Sequence, residues 1–228
     1  MASLKGGLTS LYSFNSYDFT FILRGFLITI GLCFGTIAVS SPVAVLIGLI
    51  RSLKSRNPIV KGFQFILTLY IKAVRGTPLM LILMFLFFGL PFVGINLSPI
   101  SSGMIGLSVY SIAYLAEIVR TGIESIAKTQ WEGATALGFS YLQTMRAVIL
   151  PQAIKIMLPP SAGFFIGLIK DSSLCSVIGF VELARAGRIV VEKTHQSLLV
   201  FGLVAVLYFI ICYPLSVVTQ KMEKALRA

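Results

Sequence analysis

The chain alternates long apolar runs with short, polar, mostly basic connections. Phe26–Ile50 carries no charged residue over 25 positions, and Gln196–Gln220 none over another 25. As a helix such a run is about 37 Å long, enough to cross a bilayer with some tilt. Pro42 lies inside the first run and predicts a bend there. A second run, from Phe63 to near Pro91, is interrupted by Lys72 and by Arg75-Gly76-Thr77-Pro78. Proline removes a helix hydrogen bond and glycine weakens the turn before it, so a broken helix is predicted. At membrane depth such a break is tolerated only inside protein or along a wet cavity. Gly89, Pro91, Gly94, Asn96, Pro99 and Gly103 then predict an uncharged turn. A third span follows from about Met104 to Val119, with Glu117 near its end. The fourth run, Ile156–Ile169, has only 14 residues before Lys170-Asp171-Ser172-Ser173-Leu174, and resumes over Cys175–Val181. It reads as a discontinuous or re-entrant segment. Glu182–Lys193 is a short amphipathic piece of mixed charge. The pattern predicts an all-α integral membrane protein with about five transmembrane helices. Residues 1–23 form an outer N-terminal segment, 24–222 hold the spans, and 223–228 form a tail.

Between the third and fourth runs the character changes. Residues 128–151 are polar, charged and helical in pattern. Ala134, Leu137, Met145 and Val148 share one side of a short helix pair bent near Gly138, with Trp131 and Tyr141 adding aromatic bulk. A water-exposed elbow on an otherwise oily chain offers a surface for another protein to grip.

Composition supports the membrane reading. Hydrophobic residues make up 57% and charged residues 12%; soluble domains carry about 25% charge. The partner solvent is a lipid bilayer. A net charge of +11 would suggest nucleic acid in a soluble chain. Here the basic residues sit between apolar runs and read as topology, so no nucleic-acid partner is expected. Arg51, Lys54, Arg56, Lys61, Arg120, Lys128, Arg146, Lys155, Lys221, Lys224 and Arg227 fall on one side. Lys5, Arg24, Arg185, Arg188 and Lys193 fall on the other. Eleven against five puts the elbow and C-terminus in the cytoplasm and the N-terminus outside. Cys33, Cys175 and Cys212 are scattered, and imply neither a disulfide framework nor a zinc site. Met1–Phe19 has no signal-peptide pattern.

The chain contains no Walker A and no H-E-x-x-H pattern, and its one histidine, His195, reads as an interfacial residue at a helix start. Gly138-Phe139-Ser140 lacks the second glycine of a nucleophile elbow. No catalytic residue, metal ligand or cofactor site is therefore expected. Charges inside the membrane need a reason, because a lone carboxylate at a helix centre costs roughly 2.5–3.5 kcal/mol. Glu117 either lines a solute pathway or pairs with Arg120 at i,i+3. Asp171 lines the same pathway, caps a helix starting at Ser172, or pairs with Lys170. Arg75 lines that pathway too, snorkels to the inner interface, or makes an inter-helix structural pair. Glu132 either pairs with a basic residue of a partner or complements its helix dipole. Gly138 permits the bend, or fills a tight packing spot.

Glu132-Gly133-Ala134, Gly138 and Val148-Ile149-Leu150-Pro151 resemble the EAA signature of membrane permease subunits of ABC importers. Gly133 stands where Ala is usual, and Val148 where Ile is usual. Arg75-Gly76-Thr77-Pro78-Leu79, Ala113–Arg120, Gln130–Pro151, Lys170–Gly179 and Glu182-Leu183 extend the resemblance to the polar amino-acid branch, the histidine/glutamine/arginine type. The resemblance implies a type I importer permease fold in a bacterial cytoplasmic (inner) membrane. It also implies cytoplasmic ABC ATPase subunits, a second permease subunit, an extracytoplasmic solute-binding protein and an amino-acid substrate. The elbow, with Trp131, Glu132, Gly133, Ala134, Gly138, Leu150 and Pro151, is the implied ATPase coupling loop. Arg75, Gly76, Thr77, Pro78, Tyr114, Glu117, Asp171 and Ser172 are the implied substrate pathway. A zwitterion needs donors for its carboxylate, which Arg75 or broken-helix N–H groups supply, and an acceptor for its ammonium, which Asp171 supplies. Two other readings stay open: a self-sufficient secondary carrier, and a membrane enzyme or scaffold subunit that moves no solute.

Overall fold

A computed structural model describes residues 13–227, and those residues are helical with no strand. The helices are α1 (Ser16–Ser52), α2 (Pro58–Gly76), α3 (Leu79–Met84), α4 (Pro99–Glu124), α5 (Lys128–Ala136), α6 (Tyr141–Thr144), α7 (Leu150–Asp171), α8 (Leu183–Thr194) and α9 (Ser197–Arg227). Lys5, most of the region without a signal-peptide pattern and the first half of the predicted N-terminal segment lie outside the described residues, as does Ala228.

Four helical stretches are long and apolar enough to cross a membrane: Ser16–Ser52, Pro99–Glu124, Tyr141–Ile178 and Ser197–Leu226. Pro58–Gly76 together with Leu79–Val93 makes a fifth if that broken pair counts as one span. The break falls where the sequence predicts it. Thr77 leaves helical geometry at φ −105°, ψ 131°, as a residue before proline tends to. The chain beyond α3 first widens in a π-turn, Phe85–Gly89, and then tightens in a 3-10 turn, Leu90–Val93.

Three segments differ from the sequence reading. α1 begins ten residues before the apolar run, at Ser16. Its first turn is closed by reciprocal hydrogen bonds: the Asn15 N–H donates to Asp18 Oδ2 at 3.2 Å, and the Asp18 N–H to Asn15 Oδ1 at 3.0 Å. Capping by short polar side chains, which hydropathy does not register, extends this helix. Pro42 sits inside α1 without interrupting it. α4 starts at Pro99, so Gly103 is helical rather than part of the turn. The fourth run is no re-entrant piece. α7 extends it N-terminally to Leu150, and a π-turn (Met145–Ile149) and a 3-10 turn (Ser172–Ile178) absorb the irregular ends, giving 38 continuous residues from Tyr141 to Ile178.

The chain forms two compact units. The first combines the described residues up to Gly35 with Leu79–Leu107 and Leu168–Pro214. Its core packs Ile22 against Leu183, Val190, Val200 and Val204. α8 lies close to its neighbours because it meets them at glycines. A Cβ on Gly25 would stand 2.8 Å from Ala186 Cβ, and one on Gly187 2.6 Å from Val204 Cγ2. Glu182 caps α8 from full burial. It accepts from the Ala184 and Arg185 N–H groups at 2.8 Å each and from the Tyr208 hydroxyl at 3.1 Å. Burial raises its carboxyl pKa above the ordinary value, against the opposing pull of those donors. At the other end of α8, Lys193 Nζ meets the buried Asp18 at 2.7 Å.

The second unit combines Thr36–Pro78, Ser108–Gly167 and the chain from Leu215. One core cluster packs Val119, Ile123 and Ile126 of the α4 end against Met145, Ile149, Ala153 and Met157. Another joins Ala44, Ile71, Ala113, Leu115 and Ala116. Together they hold the residues described next.

Candidate functional site

Two arrangements stand out, both within the second unit. The first is a node of charge around Glu117. Its carboxylate meets Arg51 at 2.6 Å, Arg120 at 2.8 Å and Arg75 at 3.4 Å. The three guanidinium groups come from α1, α4 and α2. Arg120 pairs also with Glu124, one turn further along α4. Arg51 is held further by Thr68, whose Oγ1 accepts from Arg51 Nε at 3.2 Å. The members differ in exposure: the Arg51 side chain is 7% exposed and that of Arg75 is 42%. Arg75 lies in the last turn of α2, just before the break, with its guanidinium carbon 5.2 Å from the centre of the Tyr114 ring. Tyr114 in turn stacks on Phe164 at 5.6 Å. A cation over an aromatic face is stabilised by the ring quadrupole, which orients Arg75 without burying it.

The i,i+3 pair of Glu117 with Arg120 exists, and Arg75 does make a structural pair. Sequence reading missed Arg51, which counted only as a loop charge. The signal available was the need of an intramembrane carboxylate for partners. Nothing in a sequence pairs residues so far apart.

Gly76, Thr77 and Pro78 are exposed beside Arg75. Asp171 and Ser172 belong to the first unit. Asp171 is half-buried, gives no side-chain cap and forms no ion pair among the described residues. Ser172 is fully buried and donates its hydroxyl to the Ile169 carbonyl at 2.7 Å.

The second arrangement is the elbow. α5 ends in a Schellman motif: the Gly138 N–H donates to Thr135 O at 2.9 Å and the Phe139 N–H to Ala134 O at 3.1 Å. Gly138 carries φ +82°, a left-handed conformation that glycine adopts without strain. Ser140 then opens α6 with a capping box shared with Gln143. The predicted bend thus has its cause in backbone conformation, and a Cβ at Gly138 would meet no neighbour.

Ala134, Met145 and Val148 pack on the inner side of the elbow, as expected. Leu137 does not. It is 77% exposed, and Leu142 is 74% exposed. Leu137 follows the last helical residue, so helical periodicity no longer fixes its direction. Trp131 stacks on Tyr141 at 6.0 Å, and Lys54 Nζ lies 5.0 Å from the Trp131 ring. Glu132 pairs with Lys128 at 2.9 Å on the exposed side. Lys54, Lys128, Trp131, Glu132, Thr135 and Ala136 line an open cleft of about 560 Å³. Gly133 and Pro151 are exposed, and Leu150 is half-buried against the core. The outer face of the elbow thus carries two uncovered leucines, an aromatic pair and the Lys128–Glu132 ion pair.

Among the described residues no group of His, Cys, Asp and Glu could hold a metal ion. The three cysteines are buried and free.

A broken helix, a charge node on a candidate span and an exposed elbow between spans place the chain in the class of multi-helix membrane proteins. Residues 41–227 match the family of binding-protein-dependent transport system inner membrane components, and the chain belongs to that family. It is a multi-pass inner-membrane protein. It is 37% identical over 207 residues to a probable amino-acid ABC transporter permease protein, YckA, of Bacillus subtilis, covering 91% of this chain and 89% of the relative. It is 38% identical over 160 residues to the glutamine transport system permease protein GlnP of Escherichia coli K12, covering 69% and 73%. A crystal structure of an amino acid ABC transporter with histidines superposes with TM-score 0.83 at 31% identity, covering 90% of this chain and 94% of that one. The MetNI methionine ABC transporter in inward-facing form shares the fold at TM-score 0.71 and 19% identity, covering 93% and 99%. The fold is that of the ABC importer permeases.

Proposed function

We propose that the chain is the transmembrane subunit of an ATP-driven amino-acid importer. It forms the translocation pathway with a second permease subunit, the same or homologous, and takes its solute from an extracytoplasmic binding protein. It hydrolyses nothing itself. ATP is spent on cytoplasmic ABC ATPase subunits that grip the elbow, and their closure rocks the spans between inward- and outward-open states. The N-terminus lies outside and the C-terminus in the cytoplasm, following the distribution of basic residues. The observation that carries this reading is the elbow: a capped, sharply bent helix pair whose outer face leaves Leu137 and Leu142 uncovered on a permease-family chain.

Within the pathway, Arg75 is the member of the node with room for a solute carboxylate. Its contact with Glu117 is the longest of the three, and its exposure the greatest. Separately, in the first unit, the half-buried Asp171 has no ion pair among the described residues and is a candidate acceptor for an ammonium group. Gly76, Thr77, Pro78 and Tyr114 shape the surroundings of Arg75, while Glu117 anchors the node.

The test is uptake by proteoliposomes holding the chain with its ATPase and binding protein. Gly138→Val forces a branched side chain into the left-handed region. It should abolish uptake and ATPase co-purification while the permease still folds. Normal uptake by that variant would remove the coupling role of the elbow, and ion-gradient-driven uptake by this chain alone would replace this reading with a secondary carrier.

A further inference from the structure

The connection between α1 and α2 follows one candidate span and opens the broken pair Pro58–Gly76 and Leu79–Val93, so it lies at a membrane surface. It is a built loop. Gln64 Nε2 donates to the carbonyls of Ile50 and Leu53 at 2.8 and 2.9 Å. Asn57 accepts from the Ile59 N–H at 2.9 Å, and Ser55 Oγ accepts from the Asn57 N–H at 3.1 Å. Lys54, Arg56 and Lys61 project from this frame and are exposed. Among the described residues none of the three pairs with an acid, and 53–63 contains no acid at all. Leu53, Lys54, Ser55 and Val60 line a cleft of about 290 Å³ that Tyr141 closes from the elbow side.

The surface immediately beyond these cations is apolar. Ile59 is 79% exposed, and Phe63 and Ile66 continue its face down α2; Phe65 and Leu69 continue the face of Lys61. Unneutralised cations at the mouth of a span, opening onto uncovered aliphatic and aromatic side chains, match the two halves of one molecule: a phosphate headgroup and its acyl chains. We infer that the α1–α2 connection, with Arg56 and Lys61 as its principal cations, is a binding site for an anionic phospholipid. A soluble protein docking here would leave the α2 strip uncovered.

The site rests on the reading of α1 and α2 as spans but not on transport, so it is tested on the full-length chain alone, purified in detergent. Native mass spectrometry compares adducts with dioleoyl phosphatidylglycerol and dioleoyl phosphatidylcholine at equal concentration. The wild type should retain the anionic lipid preferentially, and added salt should erode the preference. R56Q/K61Q should cut that preference by about five-fold per cation lost, while R56K/K61R keeps it. Lys54 is left intact because it stacks on Trp131 of the elbow. Equal retention of both lipids by the wild type would overturn the inference, as would a preference that survives in R56Q/K61Q. Displacement of the lipid by millimolar glycerol 3-phosphate would reassign the site to a soluble phosphate and overturn it too. A change in uptake or ATPase co-purification in R56Q/K61Q with its lipid preference intact would assign the patch to the motor subunit instead.

Discussion

Arg51 and Glu117 are 66 residues apart in the chain and 2.6 Å apart in space. The contact ties the end of α1 to the last third of α4, and Arg51 has almost no water to fall back on. Removing Arg51 leaves Glu117 with Arg120 and Arg75, but takes away the most buried donor of the node and its link from α1 to α4. Arg51→Ala should therefore lower the thermal midpoint of the detergent-solubilised permease by several degrees. Glu117→Gln should do at least as much, since it leaves the nearly buried Arg51 without an acid and Arg120 with Glu124 alone. A midpoint unchanged in both would mean that the node has no structural role.

Arg75 is different. Its pair with Glu117 is longer and more exposed, a geometry worth about 0–1 kcal/mol. Arg75→Ala should leave the thermal midpoint within a degree or two. It should raise the substrate concentration needed to stimulate ATPase activity, or remove the stimulation. If stability falls and stimulation does not, Arg75 is a brace and not a solute contact.

At the elbow, Gly138→Ala tests the backbone alone. A left-handed residue with a Cβ costs roughly 1–2 kcal/mol, and no neighbour obstructs the added methyl. Partial loss of coupled ATPase activity is the expected outcome, smaller than for Gly138→Val. Equal, complete loss in both would point to a contact at Gly138 rather than to its conformation.

Glu182 sets a pH dependence. Its carboxyl lies between the candidate spans Tyr141–Ile178 and Ser197–Leu226, and burial raises its pKa above that of the unfolded chain. The folded state therefore binds the proton more readily. The resulting stability is fully present below the unfolded carboxyl value and is lost as pH rises through the folded one. Melting curves of Glu182→Gln should lose that slope. Glu182→Ala should cost more, because the Tyr208 hydroxyl and two N–H groups lose their acceptor, at about 1–3 kcal/mol for each group left unsatisfied. A wild-type melting temperature that climbs with pH over this range would contradict the assignment.

Much of this was readable in the residues because one-dimensional patterns caused it. Charge-free runs of membrane length marked the first and last spans, Gly76 and Pro78 the break in the second, and Gly138 in a polar stretch the bend of the elbow. What escaped was non-local or carried by capping. Asn15 and Asp18 lengthen α1 through a hydrogen-bond pair that hydropathy ignores. Glu182 looked like one charge in an amphipathic piece, yet it is the buried cap of α8. Lys54 reaches the Trp131 ring, and Arg51 reaches Glu117, only because packed helices bring distant positions together. Leu137 misled because it follows the last residue for which helical periodicity holds.

One carboxylate answering three guanidinium groups gives the node an uneven tolerance to change. Take away Arg75 and Glu117 still has two cations; take away Arg51 and the structure loses its hidden tie. A change at position 75 therefore costs the scaffold little, while a change at position 51 removes its most buried tie.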